Sequence, residues 1–281
     1  VNTDVELFPG VRFDASFAAR AQAVAAQLWR RRAALESAGR AWSVGAGDDL
    51  AGARAYRAGD DPRTIDWSAS ARTDSPVVRV LRRARGGTEV LGIDASLSMA
   101  VGPPGKLQRA AEIAAVLALV AARGGAAVSV IAFPARARFD LDAPARFRAL
   151  LAWLEGLSAG GRVDWTAPLI PPSERAVWIG DLAGVVPEQL ARAAPRGTAL
   201  RVVQVLAPHE IDPRLDAPVV LVEPEGGARL AVDPAGIAEH ARALERRHEA
   251  LRRGLARRGA RLVRASSAEP FESACARILG P

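Results

Sequence analysis

Apolar positions recur at helical spacing over residues 14–38, where Phe17, Ala21, Val24, Leu28 and Leu35 share a face and Gly39 offers a stop. The spacing predicts an amphipathic helix packed on the body of the protein. Between Trp42 and Arg85 the pattern changes to short extended pieces broken by Gly, Asp and Pro, which predicts a small β-rich lobe. After Gly86-Gly87, strand-like and helix-like segments alternate. Segments rich in apolar residues at 88–93, 126–133, 176–179 and 199–206 predict strands, the first two buried on both faces. Segments 106–123, 147–157 (Phe147, Leu150, Leu151, Leu154, Leu157) and 187–194 predict the intervening helices. Such alternation specifies an α/β fold with a doubly wound, mainly parallel sheet.

Two further strands, 219–222 and 228–232, flank Glu223-Pro224-Glu225-Gly226-Gly227 and predict a hairpin added to the sheet edge. A long helix over 235–258 follows, with Ile237, Ala241, Leu244, His248, Leu251 and Leu255 on one face. A strand at 261–264 and a helix at 269–279 close the chain. The expected organisation is therefore a helical segment 1–41, a β-rich lobe 42–86, and an α/β domain 87–281 with its hairpin at about 219–232. No internal repeat is visible.

Composition narrows the functional classes. Of 281 residues 49% are hydrophobic, enough for a large core, and the net charge is +7 with Lys106 as the sole lysine. Arginine and alanine enrichment together fit a GC-rich coding bias, so the basic balance alone does not argue for nucleic acid. Segment 234–264 holds nine arginines against three glutamates. That arginine face is ordinarily a solvated one, with docking of an acidic protein patch or RNA as the functional alternative; it lacks the interleaved aromatics of a single-strand binder. A single cysteine, Cys275, excludes an internal disulfide, and one Cys with three His builds no zinc pattern. The start, VNTDVELFPG, has no leader character. The longest apolar run, 113–122, is far below the ~20 residues of a membrane span. A cytoplasmic protein without a transmembrane segment is expected, with a peripheral place at the inner membrane compatible.

The chemistry concentrates at Val90-Leu91-Gly92-Ile93-Asp94-Ala95-Ser96-Leu97-Ser98. A carboxylate and two hydroxyls leave the carboxyl end of a central strand, and hard oxygen donors of this kind suit Mg²⁺ or Mn²⁺. Later strand-end loops converge on the same edge, which brings Thr166 and Asp181 within reach of one ion. The competing reading is that Asp94 caps its loop and the serines bond backbone. Upstream, Tyr56-Arg57-Ala58-Gly59-Asp60-Asp61-Pro62-Arg63-Thr64-Ile65-Asp66-Trp67 is followed by Ser70-Ala71-Arg72. Gly59, Asp60 and Asp61 make a turn, Asp66 is placed to cap a short helix at 67–71, and the interleaved charges read first as a salt-bridged corner.

Asp94-Ala95-Ser96-Leu97-Ser98 resembles the metal-ion-dependent adhesion motif of von Willebrand factor A-type domains. The segment from Gly59 to Trp67 resembles the signature of a bacterial family catalogued as domain of unknown function fifty-eight. The two motifs lie in that family's order and spacing, and the tail from 219 to 279 is similar to the family's tail. The resemblance implies a von Willebrand factor A-like fold, a Mg²⁺, Mn²⁺ or Ca²⁺ ion, and an adaptor that is not an enzyme. Its implied partner is a MoxR-type AAA+ ATPase, or another protein with an acidic ligand group. It makes Asp94, Ser96 and Ser98 first-loop ligands, Thr166 the second-loop ligand and Asp181 the third-loop carboxylate. Gly59, Asp60, Asp61, Arg63, Asp66, Trp67 and Arg72 become family-motif residues with a structural or docking role. The chain departs from the pattern in its second loop, Gly160-Gly161-Arg162-Val163-Asp164-Trp165-Thr166, where Asp164 rivals Thr166, and in its third, which lacks a serine before Asp181.

Enzyme classes fit less well. A haloacid-dehalogenase-like phosphatase needs a second aspartate where Ser96 stands. Gly102-Pro103-Pro104-Gly105-Lys106-Leu107 resembles a phosphate loop but ends in leucine where Ser or Thr should hold Mg²⁺. No histidine lies beside a nucleophile, and His248 reads as a core histidine. The expected function is metal-dependent protein binding, with a metal-dependent phosphoester hydrolase and an RNA-binding protein as alternatives.

Overall fold

The computed structural model describes residues 7–8, 10–39, 49–56, 65–73, 75–82 and 87–280. Its centre is a six-stranded sheet in the order β10-β7-β6-β3-β4-β5. The strands are β3 (Thr88–Asp94), β4 (Ala127–Phe133), β5 (Ala137–Leu141), β6 (Arg175–Gly180), β7 (Ala199–Leu206) and β10 (Arg261–Ser266). All pairings are parallel except β4 with the edge strand β5.

Period-two alternation divides the strand residues between two cores. On one face Leu91, Ile93, Val177, Ile179 and Val203 meet α1 (Phe17–Gly39), α3 (Lys106–Arg123), α4 (Phe147–Glu155) and α8 (Phe271–Leu279). On the other, Val90, Trp178 and Val202 meet α5 (Pro187–Arg192) and the carboxyl-terminal part of α7 (Ile237–Ala256). The expected doubly wound, mainly parallel α/β fold is therefore present. Helix α3 is its central pillar, buried from Ala110 to Ala122 apart from Glu112. Helix α1 lies against it through Phe17, Ala21, Ala25 and Leu28, the face its periodicity predicted, and Phe17 packs on Phe13 and Phe271.

Gly92 sits at mid-strand in β3 because a Cβ there would lie 2.7 Å from Trp178 Cε3 and 2.9 Å from Ile170 Cδ1. Gly92→Ala is expected to destabilise by about 1–3 kcal/mol through overpacking, read as a lower urea midpoint with unchanged slope.

A smaller antiparallel sheet pairs β1 (Asp49–Ala55) with β2 (Val77–Arg82), and α2 (Trp67–Thr73) lies between them in sequence. These are the extended pieces anticipated for the β-rich lobe; the boundaries near 41 and 86 lie outside the described residues.

Two expectations need correction, and one strand was not anticipated. The hairpin of β8 (Val219–Val222) and β9 (Arg229–Val232) forms its own two-stranded sheet and does not extend the central one. The edges of the central sheet are β10 and β5, and neither pairs with the hairpin. Strand β5 was not anticipated, although Ala137, Phe139 and Leu141 alternate with Arg138 and Asp140 as a half-buried edge strand requires; its alternation runs for only five residues. Finally, α7 buries Leu251 and Leu255 but leaves Ile237, Ala241 and Leu244 half-buried, so its apolar stripe is covered only toward its end.

Candidate functional site

Asp94 ends β3 at the sheet's carboxyl edge. Its backbone neighbour Ala95 donates to Phe133 O (2.7 Å), which fixes where the strand stops. Oδ1 of Asp94 then accepts from Ser96 N at 2.9 Å and Ser96 Oγ at 2.6 Å, folding the loop back on its carboxylate. Ser96 Oγ lies 3.1 Å from Ser98 Oγ, in the turn that opens at Leu97. All three side chains are buried. The Gly160-Gly161 loop is stitched to this one by Gly160 N→Ala95 O (2.8 Å) and Leu97 N→Gly161 O (3.0 Å).

Asp181 arrives from the next strand, β6. The preceding Gly180 is required sterically, since a Cβ there would lie 2.5 Å from Asp94 Cβ. Asp181 Oδ1 accepts from Ala183 N at 2.9 Å, and Oδ2 from Lys106 Nζ at 2.8 Å. Lys106, 1% exposed at the start of α3, also donates to Glu210 Oε1 at 2.7 Å. Glu210 belongs to the short helix α6 (Pro208–Ile211) beyond β7 and accepts from Ala207 N at 2.7 Å through its other oxygen. Leu182, fully buried, holds a left-handed backbone with φ of 60°. That conformation costs on the order of 1–2 kcal/mol for a non-glycine residue. Arg247 of α7 braces it by donating to Leu182 O at 2.6 Å. Beneath, buried Gln204 donates to Asp181 O (3.3 Å), and its Oε1 lies 2.9 Å from Nδ1 of His248, which is half-buried instead of a full core residue.

The electrostatics follow from burial. Desolvation, then the charge of Asp181, push the Asp94 carboxyl up to about 7 against the bonds from Ser96. Burial acts on Asp181 in the same sense and is the largest single influence, but the Lys106 ammonium and the hydrogen bonds from Ala183 N and Ser98 together hold that carboxyl below its ordinary value. Lys106 resists its own desolvation because Asp181 and Glu210 flank it, and its value is raised.

These groups open onto a cleft of about 370 Å³ whose lining includes Asp94, Ser96, Arg162, Asp164, Thr166, Asp181 and Glu225. Of the five anticipated ligands, Asp94, Ser96 and Asp181 are buried and line it, and Ser98 is buried with its hydroxyl 3.1 Å from that of Ser96. Thr166 and Asp164 stand exposed on its rim, paired with each other by Thr166 Oγ1→Asp164 Oδ1 at 2.6 Å. Sequence reasoning missed Lys106, Glu210 and Glu225. Glu225 comes from the tip of the β8–β9 hairpin and accepts from Ser98 Oγ at 3.0 Å. The one available signal was Lys106, the only lysine among so many arginines.

Of the upstream motif, Gly59, Asp60, Asp61 and Arg63 lie outside the described residues. Asp66 caps α2 as anticipated, its Oδ1 accepting from Ser68 N (3.1 Å) and Ala69 N (3.0 Å). Trp67 is 72% exposed, and Arg72 Nε donates to Ser68 O at 3.2 Å. Asp66, Trp67 and Arg72 are not among the residues that line the cleft.

Among the described residues, no group of three or more His, Cys, Asp or Glu side chains is disposed as a metal cage. The donor set is instead mixed. Octahedral Mg²⁺ with bonds of 2.0–2.1 Å has ligand oxygens about 2.9 Å apart. Ser96 Oγ to Ser98 Oγ at 3.1 Å and Ser98 Oγ to Glu225 Oε1 at 3.0 Å are hydrogen bonds of about that length, so what bears on a hard cation is the chemistry of the donors, hydroxyl and carboxylate oxygens.

The family model described as "Protein of unknown function DUF58" matches residues 52–146, a span holding both the Gly59–Trp67 motif and the Asp94–Ser98 loop. This bears out the family resemblance read from those motifs. "Uncharacterized protein Mb1516" of Mycobacterium bovis is 29% identical over 217 residues, covering 71% of this chain and 68% of that one. Among solved structures, the conserved hypothetical protein BatB from Bacteroides thetaiotaomicron is similar at 18% identity and a TM-score of 0.39, covering 69% of this chain and 97% of that one. An aerotolerance-related membrane protein from Bacteroides fragilis is similar at 17% identity and a TM-score of 0.40, with 69% and 98% covered. No helix among the described residues of the present chain is long and apolar enough to cross a membrane.

Proposed function

We propose that this chain, a DUF58 protein by its match over residues 52–146, is a protein-interaction module that grips an acidic group of its partner through one Mg²⁺-class ion. Asp94, Ser96 and Ser98 hold the ion, and Asp181 balances its charge from the neighbouring strand. Bound there, the ion supplies a positive charge with exchangeable positions for a carboxylate. Thr166 or Asp164 completes the rim. The partner we favour is a MoxR-type AAA+ ATPase.

One observation carries this reading. Asp94 is a fully buried carboxylate facing a second one, while the nearest ammonium, Lys106, is engaged by Asp181 and Glu210. A buried charge left in that condition is costly, and a cation removes the cost. The arrangement does not resemble an acid/base pair for catalysis, because Asp181 is tied down by an ammonium and a backbone amide.

Calorimetric titration with Mg²⁺ or Mn²⁺ tests the proposal. Wild type is expected to bind one ion. Asp94→Ala should weaken binding by more than the roughly 10–100-fold that loss of a supporting residue costs. Capture of the ATPase should be abolished by EDTA and by the same substitution. Equal ion binding by wild type and variant, or none by either, defeats the proposal.

A further inference from the structure

The β8–β9 hairpin inverts the usual distribution of burial. Val220, Leu221, Val222 and Leu230 on its strands are 49–63% exposed. Glu225 at its tip has a side chain only 12% exposed. Hairpins ordinarily pack their strands and leave their tips in water. Here the turn is closed by Glu223 N→Ala228 O (2.8 Å) and Gly227 N→Glu223 O (2.9 Å), with Gly227 at a φ of 69°, and the carboxylate is pressed into the cleft.

What receives it does not account for its burial. Glu225 Oε1 accepts one hydrogen bond, from Ser98 Oγ at 3.0 Å. Its other oxygen faces Arg162 Nε at 3.5 Å, and that arginine is 65% exposed, so the pair is screened. Asp94 and Asp181 line the same cleft. Glu210 and Asp181 already share the buried ammonium of Lys106. Asp94 and Glu225 therefore face one small volume with no buried cation of their own, since Lys106 is taken by Asp181 and Glu210, while the hydroxyl that Glu225 meets is the Ser98 donor assigned to the ion.

We propose that Glu225 is the site's own acidic ligand: carried on the hairpin, it completes the coordination of the ion held by Asp94, Ser96 and Ser98 and occupies the position a partner's carboxylate must take. The inference rests on the metal-dependent reading above. It makes the hairpin a competitor of the partner, so that binding requires Glu225 to be displaced. Tethered carboxylates reach effective concentrations on the order of millimolar, enough to exclude weak acidic ligands and yield to multivalent ones.

Water-proton relaxation of Mn²⁺ bound to the full chain tests this without any partner. Glu225→Gln keeps an acceptor for Ser98 and so preserves the hairpin's seat; Glu225→Ala removes it. Both should weaken Mn²⁺ binding, the alanine by about tenfold or more. In Glu225→Ala the bound ion should relax water faster than in wild type, since water takes the vacated position. Acetate, the carboxylate probe, should then reverse that gain at concentrations at least tenfold below those needed for wild type. If wild type binds Mn²⁺ but relaxation and acetate response match in all three proteins, Glu225 is no ligand and the metal reading alone stands. If wild type binds no Mn²⁺, the metal reading falls and this inference with it.

Discussion

Replacing Lys106 by methionine is expected to cost about 3–5 kcal/mol of folding stability, the range found when one partner of a buried ion pair is removed. Lys106 is 1% exposed and Asp181 3%, so water cannot take over when the ammonium is lost. Methionine fills the aliphatic volume at the head of α3, and the loss therefore reports charge and not a cavity. The sign with pH is definite. The Lys106 value is raised, so its contribution is complete below the ordinary lysine value and lost only as alkaline pH passes its folded value. Asp181 is held low, so its contribution is present at neutral pH and lost as acid passes its folded value. Equilibrium urea unfolding at pH 7 measures the full effect. Glu210→Gln should cost less, because Glu210 is 29% exposed and its charge is partly screened. Lys106→Arg should not rescue, since a guanidinium fork does not fit the place of a point ammonium between two carboxylates. A loss below about 1 kcal/mol for Lys106→Met, the scale of a surface ion pair, would mean that Asp181 is not charged in the folded protein.

The fold and the first loop were legible because their signals are local. Buried parallel strands read as largely apolar segments, Val90 to Ile93 in β3 and the Val and Leu positions around Arg201 and Gln204 in β7, and Asp94, Ser96 and Ser98 stand within five residues of one strand end. Lys106 was missed because lysine at the head of a helix is ordinarily solvated. Only the arrival of Asp181 from β6 and Glu210 from α6 makes its burial affordable, and neither contact is visible along the chain. Glu225 was hidden differently. Glu-Pro-Glu-Gly-Gly is turn chemistry, and a charged turn residue is expected in water. Its seat against Ser98, 127 positions away, exists only because the hairpin leaves the sheet and folds over the carboxyl edge. The hairpin's own pairing was legible; where it docks was not.

Asp94→Asn is expected to stabilise the metal-free protein while abolishing ion binding. In the folded protein the Asp94 carboxyl is pushed up to about 7, by burial first and then by the charge of Asp181. The unfolded chain returns it to the ordinary carboxylate value of about 3.9. Between those values the folded state holds the extra proton, so stability falls as pH rises through that window, by at most about 1.4 kcal/mol per pH unit. Above it the charge is a standing cost. Asparagine keeps Oδ1 as acceptor for Ser96 N and Ser96 Oγ and removes the charge. Its urea-unfolding profile should therefore lose that slope, and at pH 8 without metal it should exceed wild type by on the order of 2 kcal/mol. Mg²⁺ reverses the order. At a hundred times its dissociation constant the ion adds about 2.7 kcal/mol to any form that binds it, and only wild type does. A residue whose charge weakens the empty fold and strengthens the loaded one is kept for its ligand, not for the fold. Should Asp94→Asn instead prove less stable than wild type at pH 8 without metal, the charge of Asp94 would be structural, and the case for a cation at this site would lose its main support.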